Sequence, residues 1–219
     1  MKLSKHNKVL LWDVGLLLLC LAIATVTFLG FYPGRAEHDI SEQAKQMLGM
    51  KNLSDWHPPI VAILWRGLYA VTGKLGSLLA FQLGIYFLAV FLLAVFAHRI
   101  LKSKLASLAM IAILVSPWAY SQLAVMWKDT IMAALLLFAA GCLALVIPKN
   151  KKTLWFIVPA FLLLIFATVV RKNAATAVVP MCIFIGWRLA PLFAPKLRNL
   201  IPKLGEGRAK QSISAFIIG

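Results

Sequence analysis

The chain has 219 residues, 62% of them hydrophobic and 14% charged; 23 Lys and Arg stand against 7 Asp and Glu, for a net charge of +16. A soluble domain is about half apolar and about a quarter charged, and a disordered chain needs low hydrophobicity, so the composition excludes both. Basic charge in so apolar a chain marks the loops of a polytopic membrane protein and not a nucleic-acid binder. Cys20, Cys142 and Cys182 all lie inside apolar runs, which argues against a disulfide framework or a zinc site.

The elements follow in order. A hydrocarbon core about 30 Å thick takes roughly 20 apolar residues per helix. Six stretches qualify: 9–31, 75–97, 105–126, 130–148, 153–170 and 174–193. With every backbone group paired inside its own segment, the predicted fold is an all-α polytopic membrane bundle, a single membrane domain over 1–219. The first stretch runs too far past a signal-peptide core to be cleaved, and reads as a retained anchor. Asp13, near its start, predicts an interfacial acid paired with a neighbouring Lys. Fifteen Lys and Arg fall on the side of the N-terminus, the second and fourth loops and the tail from Arg188 on, which includes the basic stretch 194–219; eight fall on the other side. The positive-inside rule then places both termini in the cytoplasm of a cell's inner or plasma membrane.

The first outer loop, 32–74, is the longest polar segment. Asp39-Ile40-Ser41-Glu42 reads as a capping box opening a helix from Ile40 to Met50. The run Ile60–Thr72 is too short to span and predicts an in-plane surface helix. Glu37 and Glu42 read as solvated loop acids, and His38 and His57 lack a companion at metal-ligand spacing. The other two outer connections are short: Trp127-Lys128-Asp129, with Asp129 as an N-cap, and Arg171-Lys172-Asn173. Short turns hold their polar residues at the membrane surface, so carboxylates, histidines and bases are expected to gather on one face of the bundle. Asp39 is the candidate base. Lys128, Arg171 and Lys172 are candidate phosphate binders, and Asp55, His57, Asp129 and Asn173 candidate substrate contacts. Each has a plainer reading as a helix cap, a solvated acid or a snorkelling base.

Tyr32-Pro33-Gly34 followed by Asp39 and Gln43, then Asp55-Trp56-His57-Pro58-Pro59, resembles the first outer loop of the GT-C glycosyltransferases, in the flavour of bacterial relatives of the protein O-mannosyltransferases. Trp127-Lys128-Asp129 and Arg171-Lys172-Asn173-Ala174 are similar to their later outer turns, so the resemblance covers roughly 32–180. It implies a multi-span enzyme taking a sugar from a polyprenyl-phosphate donor in the membrane. An acid of the first loop, matched by Asp39, acts as base or helps to hold a divalent metal, and basic residues matched by Lys128, Arg171 or Lys172 meet the phosphate.

One departure stands. The family has more spans than six, and Ser212-Ile213-Ser214-Ala215-Phe216-Ile217-Ile218 reads as the opening of a seventh. The expectation is an incomplete copy, or a chain that a partner completes. The alternative is a non-catalytic membrane protein that binds lipids or another protein. A small transporter ranks last, because the second to fifth stretches carry no charge.

Overall fold

A computed structural model describes residues 4–54, 58–147 and 150–200. Asp55, His57 and the end of the chain from 201 lie outside them. The described residues are helical with no strand, and several of the helices are long and apolar, as in a membrane protein.

The centre of the bundle is α4, Ser77–Arg99. Half of it is buried, against 17% for the first helix, α1, Lys5–Phe31. The buried residues of α1, Asp13, Leu16, Cys20 and Thr27, recur at helical spacing, so it lays one stripe on α4 and leaves the rest outward. On another side α4 meets α7, Lys128–Ala144, with Gly141 of α7 set against Ala89 and Leu92 of α4. A Cβ on Gly141 would stand 3.0 Å from the Leu92 side chain and 3.3 Å from the Ala89 carbonyl oxygen, so the two backbones approach closely only because the residues are small.

The remaining elements wrap this pair. The first connection carries two short helices, α2, His38–Met47, and α3, Ile60–Thr72. Arg66 of α3 donates from Nε to the Met47 carbonyl at 2.9 Å and from Nη2 to the Gln46 carbonyl at 2.6 Å. It thereby closes the open C-terminal end of α2 with charge of the right sign. A 3-10 turn at Lys151–Phe156 leads into α8, Ile157–Val170, and another at Lys172–Ala174 leads into α9, Ala175–Leu200.

The helices match the six expected stretches in part: among the described residues four pass as spans by length and composition, and a fifth does if the bent pair α5 (Lys104–Leu114) and α6 (Pro117–Leu123) is taken as one span. The four are 7–31, 77–99, 151–170 and 172–190. The stretch 105–126 is not one helix. It is α5, Lys104–Leu114, and α6, Pro117–Leu123, meeting at 54°. Pro117 is the cause, since it lacks the N–H a continuing helix needs and forces Ser116 into extended backbone, ψ 154°. The hydroxyl of Tyr86 on α4 donates to the Leu114 carbonyl that the break leaves open. The stretch 130–148 is helical only to Ala144; at 17 residues, α7 is about 25 Å long.

The capping box is also corrected. The helix begins at His38 with Glu37 at its N-cap and no side-chain cap, so Asp39 sits inside the first turn. Glu42 is not a loop acid: it lies on α2 and pairs with Lys45 at 2.7 Å and Lys51 at 2.5 Å. Those two ammonium groups hold its carboxyl down at about 2.

Candidate functional site

Three connections meet at one end of the bundle, and backbone bonds hold them there. Arg35 N–H donates to the Ala124 carbonyl at 2.9 Å, and Met126 N–H donates to the Arg35 carbonyl at 3.2 Å. This short parallel bridge straps the segment after α1 to the link between α6 and α7. Gln82, buried on α4, donates from Nε2 to the carbonyls of Leu123 and Val125 at 3.1 and 3.0 Å and fixes the same link from below. Gly34 permits the approach. Its φ is +108°, and a Cβ there would stand 2.8 Å from the Met126 side chain.

The strap sets the first turn of α2 beside the first turn of α7, and a cavity of about 320 Å³ opens between them and the end of α8. Glu37, His38, Asp39, Ile40 and Gln43 line it from the α2 side, Trp127, Lys128 and Asp129 from α7, and Arg171 from the turn after α8. Lys128 Nζ lies 3.2 Å from the Asp39 carboxylate, although the residues are 89 apart in the chain. Arg171 donates from Nη1 to Asp129 and from Nε to Asn173 Oδ1, the latter at 2.9 Å.

Asp39, Lys128, Asp129 and Arg171, taken from three separate motifs, thus share one cavity, with Asn173 orienting Arg171. Lys172 does not join them; it is exposed and absent from the cavity wall. Asp129 is not an N-cap, because Trp127 holds that position and Asp129 lies in the first turn. α3 contributes no residue to the cavity wall. Among those residues no three His, Cys, Asp or Glu form a metal-holding group.

The electrostatics are those of an open site. First-turn amides of α2 and α7 have no acceptor inside their own helices, and both turns bring the positive end of a helix dipole to the cavity. Asp39 and Asp129 sit where that field favours an anion. The side chain of Asp39 is 51% exposed and that of Lys128 14%; Asp129 and Arg171 are 42% and 32% exposed. Ion pairs this wet contribute on the order of 0–1 kcal/mol to folding. They can therefore be exchanged for a ligand at small cost. An anion entering the cavity meets an ammonium, a guanidinium and two helix N-termini, set against the carboxylates of Glu37, Asp39 and Asp129 on the same wall, and a carboxylate there can accept a proton.

Gln43, named in the first-loop motif but not as a site residue, is among the lining residues that sequence reasoning left out of the site, with Glu37, His38, Ile40 and Trp127. Gln43 occupies the same face of α2 as Ile40 and Met47, one turn beyond Asp39, and is 1% exposed. No protein-family model, curated protein or solved structure matches this chain, so its functional reading stands on this cavity and on the motifs that line it.

Proposed function

We propose that the chain is a GT-C-like membrane glycosyltransferase, or the membrane part of one, which takes a sugar from a polyprenyl-phosphate donor at the extracytoplasmic face. The cavity end is then extracytoplasmic, as the excess of Lys and Arg in the other connections favours, and both termini are cytoplasmic. The observation that carries the reading is the convergence of Asp39, Lys128, Asp129 and Arg171 on one cavity at the end of a lipid-sized bundle. A volume of about 320 Å³ suits a phosphate and part of a sugar, with the prenyl chain left in the bilayer.

In this scheme the donor phosphate draws Lys128 and Arg171 away from their carboxylate partners. Asp39, released from Lys128, accepts the proton of the acceptor hydroxyl while its oxygen attacks the anomeric carbon. The bond from that carbon to the phosphate oxygen breaks, and the phosphate leaves with the electron pair. Stabilising the charge on the leaving phosphate is the largest expected contribution, and it falls to Lys128, Arg171 and the amides of the two helix starts.

The test is release of polyprenyl phosphate from a polyprenyl-phosphate sugar by the purified chain in nanodiscs. Asp39→Asn is expected to slow it by about 100-fold or more, the range of a lost general base. Unchanged turnover in that variant removes Asp39 from the chemistry. Absence of turnover with every donor, alongside intact binding of polyprenyl phosphate, favours instead a non-catalytic lipid-binding protein.

A further inference from the structure

Beyond the ion pairs, the geometry points to Gln43 as a ligand-binding residue whose carboxamide N–H donates to a phosphate oxygen in the α2–α7 cavity. Three observations meet in it. Gln43 is 1% exposed and lines the cavity. Its Nε2 is buried and has no hydrogen-bond partner among the described residues. The same cavity holds Lys128, Arg171 and the first turns of two helices, each of which favours an anion, beside the acids Glu37, Asp39 and Asp129, two of which Lys128 and Arg171 face.

A buried donor without an acceptor is a standing cost to folding, and native chains rarely keep one for no return. Gln82, equally buried one layer below, shows the contrast: its Nε2 is spent on two backbone carbonyls that hold the strap. Gln46, one turn along the same helix, spends its Nε2 on Ser54 at 3.2 Å. Gln43 alone of these three keeps its N–H unspent. An acceptor that arrives from outside the chain completes it, and the acceptor best matched to its neighbours is a phosphate oxygen. A neutral amide also adds a directed donor without adding charge, so it can fix the rotation of a phosphate already held by Lys128 and Arg171.

This inference rests on the reading of the cavity as a phosphate site, but it is separable from glycosyl transfer, because binding alone tests it. The probes are a polyprenyl monophosphate carried in phosphatidylcholine nanodiscs and, in a second arm, inorganic phosphate with the same nanodiscs; tighter binding of the first assigns the phosphate to a lipid, equal binding to a free anion. Two variants are compared with the unaltered chain. Gln43→Met keeps the side chain's length and removes the donor. Gln43→Glu keeps an acceptor oxygen and replaces the donor with negative charge. Loss of a hydrogen bond to a charged group predicts binding weaker by roughly 10-fold or more in Gln43→Met, and a larger loss in Gln43→Glu.

The second readout is thermal unfolding without ligand. Removal of an unsatisfied donor predicts that Gln43→Met melts no lower than the unaltered chain, whereas a residue kept for packing would melt lower and bind as before. That latter pair of results overturns the inference. So does retained binding in Gln43→Glu, which would make Gln43 an acceptor for a sugar hydroxyl. If the unaltered chain binds the phosphate through Gln43 yet turns over no donor, glycosyl transfer fails and this assignment stands. If it turns over donor and Gln43→Met binds equally well, the assignment fails and transfer stands.

Discussion

The two ends of this bundle use the same ingredients, carboxylates facing bases, and put them to opposite ends. At the end away from the cavity, Asp13 of α1 is 5% exposed. Both of its oxygens are taken: His98 Nδ1 lies 2.7 Å from Oδ1, and Arg99 reaches Oδ2 from Nε at 2.6 Å and from Nη2 at 2.5 Å. Trp12 leans on the His98 ring, donates to Ser107 at 3.1 Å and carries Lys104 over its face at 4.5 Å. At the cavity end the carboxylates of Asp39 and Asp129 are about half exposed, Asp39 facing Lys128 and Asp129 facing Arg171. What separates a clasp from a site is therefore not the residue types but their burial. A buried carboxylate joins α1 to α4, with Trp12 beside it tying in α5; a wet one can exchange a partner for a ligand at small cost.

The sharpest way to break this comparison is to remove the acid at each end. Asp13→Ala leaves His98 and one face of Arg99 without a partner in a dry contact. Breaking such a buried pair costs about 3–5 kcal/mol, and Arg99, half exposed, can turn to solvent and bring the loss to the lower figure. Asp39→Asn is expected to cost less than about 1 kcal/mol, because it opens an exposed pair. Thermal unfolding of both variants in the same detergent checks this. Equal losses would mean that the cavity end is also a structural clasp.

A second test asks what holds the open end in shape. If wet ion pairs contribute little there, the strap must do the work, and Gly34 is its narrowest point. An alanine at φ +108° is strained, and its methyl group meets Met126. Gly34→Ala is expected to cost about 1–3 kcal/mol. It should also lower phosphate binding more than its stability loss explains, since it moves Asp39 relative to Lys128. Binding unchanged at full occupancy would show that the strap does not set the distance between the two helix starts.

The contrast also separates what the sequence made legible from what it did not. The gathering of Asp39, Lys128, Asp129 and Arg171 was legible, because short connections between apolar stretches leave polar residues nowhere else to go. The partners of Asp13 were not a neighbouring Lys but His98 and Arg99, whose level against α1 follows from antiparallel packing of two long helices rather than from local spacing. The break at Ser116-Pro117 carried its own signal in Pro117, masked by an unbroken apolar run on both sides. Asp39-Ile40-Ser41-Glu42 matched a capping pattern, but tertiary pairing took both acids: Lys128 meets Asp39, while Lys45 and Lys51 meet Glu42. Burial of Gln43 had no sequence signal beyond its place three residues after Ile40 on the α2 face, since a glutamine one turn into a short polar helix reads as solvated.

Glu42 supplies the finest test, because it is an acid near the cavity that behaves as part of a clasp. Two lysines hold its carboxyl at about 2, below its ordinary 4.5. A carboxyl whose folded value is depressed contributes stability that is fully present above the ordinary value and is lost as pH falls through the folded one. The unaltered chain should therefore lose stability between about 4.5 and about 2 by a step that Glu42→Gln lacks. Above that window the variant should be slightly less stable, through the loss of Lys51, which ties the segment after α2 back to the helix. Below it the two chains should converge. Melting curves across this range, taken as a difference between the two proteins, isolate the step from other acids. A difference that does not vary with pH would show that Lys45 and Lys51 merely pass near Glu42 in water, and would place it with the open, exchangeable pairs of the cavity instead.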